Sequence, residues 1–172
     1  TAQIAIESAL TGHLVFSTLH TNDAASAITR LIEMGVEPYL VASAVIGVGG
    51  QRLVRKICPS CKIQVSANDE EAALLAENGL ADSKLYQGKG CLTCRKSGYS
   101  GRTAIHEIMT INDEIHSLIL DSASARDIRT AAVKAGMRTM RLDGLQKAIK
   151  GVTTIGEVMR LTRGEDIRRA TA

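Results

Sequence analysis

Three features of the sequence predict an α/β fold with a cysteine-bearing insert and an all-helical C-terminal stretch. The run HLVFSTLH at residues 13–20 is apolar, rich in β-forming residues and flanked by helical patterns, which is typical of a buried parallel strand in a βαβ arrangement. Two C-x-x-C pairs then enclose a hydrophilic stretch. From residue 112 onward the apolar positions recur with helical spacing.

The first third of the chain predicts helices on both sides of the strand. Residues 2–10 have a helical apolar face and are followed by Gly12 as a stop, but no capping residue opens this helix. A missing cap is typical of a chain that begins inside an element, so we expect a fragment of a longer protein. The helix after the strand runs to about Met34, with Gly35 at its C′ position. Its candidate N-caps are Thr21, Asn22 and Asp23.

The middle of the chain alternates strands, helices and glycine-rich loops. A helix over residues 39–48 is expected to break at Gly49 and Gly50, and residues 51–57 form a strand that leads into the first cysteine pair. Residues 70–77 predict a short helix between the cysteine pairs. Residues 102–109 return to strand character.

Four helices are predicted after that strand. Two of them begin with capping-box patterns, Ser124 with Asp127 and Thr154 with Glu157. Gly136 and Gly151 are the expected stops. The predicted helices span residues 112–120, 124–135, 139–150 and 154–163.

Composition excludes some classes of function. Only 2% of the residues are aromatic, which disfavours a base-stacking surface for nucleic acid. The region from Ser124 to the C-terminus holds 11 Lys or Arg and 5 Asp or Glu, a pattern of a solvated helical face or of a docking surface for an acidic partner or membrane. No apolar run reaches the ~18 residues that span a bilayer, and the start lacks the basic region of a signal peptide, so the cytosol is the expected compartment.

The cysteine pairs predict a structural zinc site. Cys58 and Cys61 are separated by 29 residues from Cys91 and Cys94, and the chain has no other cysteine. Each C-x-x-C turn presents two thiolates on one side of an ion, so two turns close a tetrahedral shell and leave no open catalytic position. A redox dithiol or buried free cysteines are the alternatives, but a redox C-x-x-C usually stands alone between a strand and a helix.

His20 is a candidate catalytic residue, because it ends the predicted strand just before a helix N-terminus. Ligands of parallel sheets bind beyond the carboxyl ends of the strands, and a helix N-terminus there offers N–H groups to a phosphate. His13 lies at the other end of the strand and is a weaker candidate, and a hydrogen-bonded structural role is the alternative for each histidine. Other residues placed near a nucleotide or its attacking water are Ser17, Thr18, Thr21 and Asn22.

Four segments together resemble the secretion-traffic ATPases of type II secretion and type IV pilus assembly. The first, TAQIAIESALTGHLVFSTLHTNDAASAITRLIEMGVEP, contains STLHTN, which is similar to the family's His box (residues 17–22 here). The others are QRLVRKICPSCK and GCLTCRKSGYSGRTAIHEIM, similar to its tetracysteine module and return strand, and GMRTMRLDGLQKAIKGVTTIGEVMRLT, similar to its helical tail. The cysteine module favours the secretion and pilus-extension branches over the retraction ATPases, which lack it. Ala104 and Gly49-Gly50 depart mildly from the family's usual residues.

The resemblance implies the C-terminal part of a RecA-like, parallel-sheet ATPase domain. It implies a cytoplasmic hexamer peripheral to the bacterial inner membrane, which uses ATP and Mg²⁺, contacts platform and adaptor proteins of the machine and binds no nucleic acid. His20 would help to sense or position the γ-phosphate or its water. The expected parts are a half of the ATPase core (1–57), a zinc module (58–101), a return strand (102–111) and a helical subdomain (112–172).

Two further expectations concern activity. The sequence contains no G-x-x-x-x-G-K-[ST] motif, so this chain alone is expected not to turn over ATP. The alternative function is a zinc-ribbon module that binds nucleic acid through its basic helical tail, although the chain has little basic–aromatic interleaving.

Overall fold

The computed structural model describes residues 1–81 and 83–162, and these form two compact units. The first comprises Thr1–Gly50 and Glu107–Thr139, and the second comprises the described residues of Gln51–His106 and of the chain from Met140 to Thr162. A 3₁₀ turn, Pro59–Cys61, accompanies the regular elements. These are α1 (Ala2–Leu10), α2 (Ala24–Glu33), α3 (Pro38–Ala44), β1 (Gly47–Ile57), β2 (Lys62–Val65), α4 (Asp69–Glu77), β3 (Leu85–Gly88), β4 (Tyr99–Thr110), α5 (Asp113–Leu120), α6 (Ala125–Lys134), α7 (Met140–Ile149) and α8 (Ile155–Thr162).

The first unit is a helical cluster around one aliphatic core. Helices α1, α2, α3, α5 and α6 bury their apolar faces together with the end of β4. The centre is formed by Ile28, Val41, Ile119 and Ile128, all fully buried. Burying a large aliphatic side chain stabilises a fold by about 1.5–3 kcal/mol, so this core holds the unit together without aromatic residues.

The second unit joins short strands to three helices. Strand β2 pairs antiparallel with β3, with Lys62 opposite Gly88 and Val65 opposite Leu85. Helices α4, α7 and α8 cover this pair through a core that contains Leu75 and Leu145. Strands β1 and β4 pair in a separate two-stranded sheet.

Most predicted helices are confirmed to within one or two residues, and the predicted stops Gly35, Gly136 and Gly151 have positive φ. Of the three candidate caps for α2, Asp23 is the N-cap, because its side chain accepts the Ser26 N–H at 2.8 Å. The predicted cap at Ser124 is also confirmed, since its hydroxyl accepts the Asp127 N–H.

The predicted capping box of α8 forms only in part. Thr154 Oγ1 accepts the Glu157 N–H at 3.3 Å, as expected. The buried Glu157 carboxylate, however, accepts from the Arg55 backbone N–H at 3.1 Å and from its guanidinium at 2.6 Å. A complete box occurs instead at α4, between Asn68 and Glu71, which the sequence analysis did not single out.

The predicted strand at residues 13–20 is wrong for the chain as described. The segment has no regular secondary structure, and Leu14 and Phe16 are 71% and 87% exposed. Among the described residues both sheets are two-stranded and neither includes this segment, so the predicted parallel βαβ arrangement is not formed. A strand requires a neighbour for its backbone N–H and C=O groups, and β-propensity alone cannot supply one.

The boundary between α3 and β1 also differs from the prediction. The helix ends at Ala44, and Gly47–Ile57 is one continuous strand that contains Gly49 and Gly50. A Cβ on Gly47 would lie 3.1 Å from the Met109 carbonyl oxygen, so the missing side chain permits close backbone approach to β4. Strands β2 and β3 were not predicted, although Ile63 and Val65 alternate with polar residues as in a half-buried strand.

The predicted domain boundaries at residues 57, 101 and 111 stay a prediction. The four helices α5 to α8 follow β4, and the first two belong to the first unit and the last two to the second. Residue 163 of the last predicted helix, and the rest of the predicted subdomain up to residue 172, lie outside the described residues.

Candidate functional site

The four cysteines converge on one point in the second unit. The Sγ atoms of Cys58 and Cys91 lie 3.9 Å apart, those of Cys61 and Cys94 also 3.9 Å, and those of Cys91 and Cys94 3.7 Å. All four sulfurs lie within 4.8 Å of one another. The site therefore uses both C-x-x-C pairs, as the sequence predicts.

Two strand pairs bring the turns together. Cys61 directly precedes β2 and Cys91 follows β3, and the Lys89 N–H extends that ladder to the Cys61 carbonyl at 3.0 Å. On the other side Cys58 follows β1, and its N–H bonds to the Gly98 carbonyl just before β4 at 2.9 Å. The register of the β2–β3 pair thus places Cys61 close to the second C-x-x-C turn.

The sulfur spacing fits a metal ion better than disulfides. A disulfide needs sulfurs at about 2.05 Å, whereas four sulfurs each about 2.3 Å from one ion lie about 3.8 Å apart in a regular tetrahedron. All four thiols are free, and the three close pairs lie at 3.7–3.9 Å. The residues present can therefore hold a tetrahedral metal ion.

Backbone N–H groups prepare the sulfurs for negative charge. The N–H groups of Cys91 and Gly98 donate to Cys94 Sγ at 3.2 and 3.3 Å, and that of Gly90 donates to Cys61 Sγ at 3.3 Å. The Cys91 N–H in particular lowers the pKa of the Cys94 thiol to about 6. Burial among the other thiols raises the pKa of Cys61 to about 12, so the four thiols do not all ionise at neutral pH without a cation.

Glycines on either side of the second C-x-x-C turn permit the close approach of its two ends. Gly98 has φ +76°, and a Cβ there would lie 2.5 Å from the Gly88 carbonyl oxygen. A Cβ on Gly88 would in turn clash with the Gly98 carbonyl oxygen. Both contacts are with backbone atoms that cannot rotate away, so these positions exclude any side chain.

The His box (residues 17–22) lies in the first unit and is largely exposed. His20, Ser17 and Thr18 are exposed, and Thr21 is half-buried, with its hydroxyl donating to the Asp23 carbonyl at 3.2 Å. His13 is exposed, and its Nδ1 lies 3.2 Å from Thr11 Oγ1 and 3.3 Å from the Ser8 carbonyl. The proposed roles of these residues and of the exposed Asn22 toward a nucleotide stay predictions.

The N-terminus of α2 is where the sequence predicts a contact with phosphate. Two of its first N–H groups already have acceptors, because the Ala24 N–H donates to Glu107 at 2.6 Å and the Ser26 N–H to Asp23. An anion at this end would meet two carboxylates. Only N–H groups other than these two remain for the predicted contact with a phosphate.

Sequence reasoning missed Glu107 and its neighbour Arg129. Glu107 shares the inward face of β4 with Ile105 and Met109, which is a charged residue at an apolar position of an alternating strand. This break in alternation is the signal that could have found it. Arg129 follows the buried Ile128 on α6 and lies with Glu107 below the start of α2.

The profile of a protein family described as "Type II/IV secretion system protein" matches residues 1–160 of the chain. The chain belongs to this family. The four clustered cysteines and the His box both lie within the matched residues.

Curated relatives of the family are similar over nearly the whole chain. The type IV pilus assembly ATPase PilB of Thermus thermophilus is 51% identical over 164 residues, which is 94% of this chain and 18% of the relative. The type II secretion system protein E of Pseudomonas aeruginosa is 47% identical, over 96% of the chain and 33% of the relative. The type II secretion system ATPase E of Vibrio cholerae is 44% identical, over 95% and 32%. The chain thus spans a third or less of these relatives.

Solved structures share the fold at lower sequence identity. The pilus retraction motor PilT with bound ADP aligns with TM-score 0.59 and 21% identity, over 92% of this chain and 35% of PilT. The Legionella pneumophila ATPase DotB aligns with TM-score 0.57 and 18% identity, over 95% and 35%. Among the described helices none has the length and apolar character needed to cross a membrane.

Proposed function

We propose that the chain is the C-terminal part of a hexameric RecA-like ATPase that couples ATP hydrolysis to protein export or pilus assembly. The observation that carries this proposal is 44–51% identity, over almost the whole chain, to relatives named as type II secretion and type IV pilus assembly ATPases. The protein would lie in the cytoplasm against the bacterial inner membrane and pass force to platform and adaptor proteins of the machine.

The metal in the cysteine site is proposed to be a structural Zn²⁺. Four thiolates with tetrahedral spacing suit zinc, and a shell closed by Cys58, Cys61, Cys91 and Cys94 leaves no position for substrate. The ion supplies positive charge that lets all four thiols ionise together, and it cross-links the two C-x-x-C turns. Its role is to stabilise the second unit.

For the His box we propose a role in phosphoryl transfer to water. The transition state spreads negative charge over the equatorial phosphate oxygens, so catalysis depends on donors and on the position of the attacking water. His20 would donate to the γ-phosphate or orient the water, and His13 would contribute less. ATP with Mg²⁺ would lie near Ser17, Thr18, Thr21 and Asn22.

The alternative of a nucleic-acid-binding zinc ribbon is not part of the proposed function. The family match and the similar relatives give it no support. The cysteine module instead supports the secretion and pilus-extension branches, by the resemblance given above. Protein export and pilus assembly both remain within the proposal.

The test is ATP turnover by the full-length protein, compared with the isolated chain. We expect Mg²⁺-dependent phosphate release from the full-length protein and none from residues 1–172 alone, which contain no P-loop motif. A purified full-length hexamer without turnover would overturn the ATPase proposal. If the isolated chain released phosphate steadily, and a point substitution within it abolished this release, the expectation that it is inactive alone would be wrong.

A further inference from the structure

A buried ionic cluster lies below the start of α2, in the first unit. Glu107 on β4 is 1% exposed and Arg129 on α6 is 6% exposed. Arg129 Nη1 lies 3.7 Å from a Glu107 carboxylate oxygen and 3.9 Å from an Asp23 oxygen. The other Glu107 oxygen accepts the Ala24 N–H at 2.6 Å.

This cluster fixes the point at which the chain leaves the His box. Asp23 caps α2 from the position just before the helix, whereas Glu107 reaches Ala24 from a strand 83 positions further along the chain. A carboxylate that accepts a backbone N–H at a helix N-terminus is stabilised by the helix dipole, and Arg129 offsets part of the negative charge of the two carboxylates. The helix start is therefore held by tertiary structure as well as by its local cap.

Only three residues separate His20 from Ala24, so we expect a shift of the Ala24 backbone to displace residues 20–23 as well. Burying charged groups is costly, and an apolar core at positions 107 and 129 would hold β4, α2 and α6 together at lower cost. An apolar core would not, however, supply an acceptor at one defined point in front of Ala24. The cluster thus fixes the position of the Ala24 backbone, and a catalytic segment next to Ala24 requires a defined position.

We propose that Glu107 is a positioning residue for the His box, acting through the Ala24 N–H, with Arg129 holding its carboxylate in place. This inference rests on the proposed ATPase function. The role belongs to the acceptor atom at the end of the side chain and not to the negative charge alone, because the short contact is to a backbone N–H.

Two conservative substitutions separate the acceptor from the charge. Glu107→Gln keeps an oxygen acceptor at the same reach and removes the charge. Glu107→Asp keeps the charge and withdraws the carboxylate by about 1.5 Å, one carbon–carbon bond. Glu157→Asp is the matched control, since Glu157 is also a buried carboxylate that accepts from a backbone N–H, but in the second unit and paired with Arg55.

The first measurement is steady-state ATP turnover of the full-length protein, with kcat referred to folded hexamer. We expect Glu107→Asp to lower kcat about 10- to 100-fold with KM for ATP changed less than about threefold, the pattern of a misplaced catalytic group. Glu107→Gln should stay within about threefold of wild type. Glu157→Asp should lower the unfolding temperature and leave kcat unchanged.

The second measurement is hydrogen exchange of the peptide covering residues 17–28. Glu107→Asp should speed exchange there about tenfold or more while the core of α5 keeps wild-type protection, and Glu157→Asp should not change it. Equal kcat in Glu107→Asp and wild type, or an acceleration spread evenly over the first unit, would overturn the positioning role. A wild-type protein without turnover would instead overturn the proposed function, and the exchange result would still decide whether Glu107 holds the segment.

Discussion

The cysteine site and the His box are both marked by short motifs, yet only the first is assembled by the described residues. The four sulfurs lie within 4.8 Å of one another, on turns that the β1–β4 and β2–β3 strand pairs bring together. His20, in contrast, lies in an exposed segment without regular structure, anchored on its C-terminal side by the capped start of α2. The difference is that the strand pairs that bring the cysteines together lie within the described residues, whereas the apolar segment at residues 13–20 has no neighbouring strand there.

The largest expected effect is that of removing the metal. Cys91→Ser should reduce bound zinc from one ion per chain to almost none, because structural zinc binding contributes about 10–16 kcal/mol in small zinc modules. Hydrogen exchange should then rise throughout the second unit and stay low in the core of the first. Elemental analysis and exchange mass spectrometry measure both, and Ser97→Ala, beside the site but not a ligand, is the control.

A zinc-free wild-type protein purified from metal-replete medium would contradict this prediction. Nitrogen ligands in X-ray absorption would also contradict it. Faster hydrogen exchange throughout both units of Cys91→Ser would show that the first unit depends on the metal site as well.

The next effect concerns the His box in the full-length protein. His20→Ala should lower kcat for ATP about 10- to 1000-fold, the range for one lost positioning or oxyanion-type donor. The unfolding temperature should change little, because Asp23 and not His20 caps α2. His13→Ala, which loses only contacts to Thr11 and Ser8, should reduce turnover less.

Wild-type turnover in the His20 variant would assign its imidazole no catalytic role. Loss of turnover that is matched by loss of folded protein would make the residue structural. Both variants are measured for phosphate release and thermal unfolding under one set of conditions.

A smaller effect is expected at the Arg55–Glu157 pair of the second unit. Hydrogen bonds from Arg55 lower the pKa of the Glu157 carboxyl to about 2, so the native state binds its proton less readily than the unfolded chain does. The stabilisation is therefore complete above the ordinary pKa of 4.5 and is lost as pH falls from there toward about 2. Because Arg55 is half exposed, Glu157→Gln should cost only about 1–3 kcal/mol at pH 7.

Denaturant unfolding of both proteins between pH 7 and pH 3 tests this sign. The stability difference should narrow as pH falls below about 4.5, and a constant difference would exclude the ion pair as its source. Arg30→Gln, which breaks an exposed pair with Glu33, is the control and should change stability by less than about 1 kcal/mol at any pH.

The smallest effects are those of single helix caps, one in each unit. Asn68→Ala removes the capping box of α4 and Ser124→Ala removes the cap of α6, and each should cost about 1 kcal/mol. Zinc content should be unchanged in both. If Asn68→Ala released zinc, the metal site would depend on α4 as well as on the β2–β3 pair.

The prediction of the fold succeeded where information is local. Helix α2 could be read from an aliphatic face, an Asp cap and Gly35, and all three features act within a few residues. It failed at residues 13–20, where the same apolar pattern serves a strand only if partners exist. It also failed at Gly49 and Gly50, which lie inside β1, since a glycine pair can continue a strand as well as end a helix.

The sequence by itself determined the family, the four candidate metal ligands and most helix boundaries, because each of these rests on residue type and short spacing. Only the tertiary structure decided that β2 and β3 pair in the register that brings Cys61 beside Cys91 and Cys94. The hydrogen bond from the Ala24 N–H to Glu107, 83 positions away in the chain, was likewise decided only by the tertiary structure. Such contacts depend on which distant elements pack together, and that choice is made by the whole core and not by any local pattern.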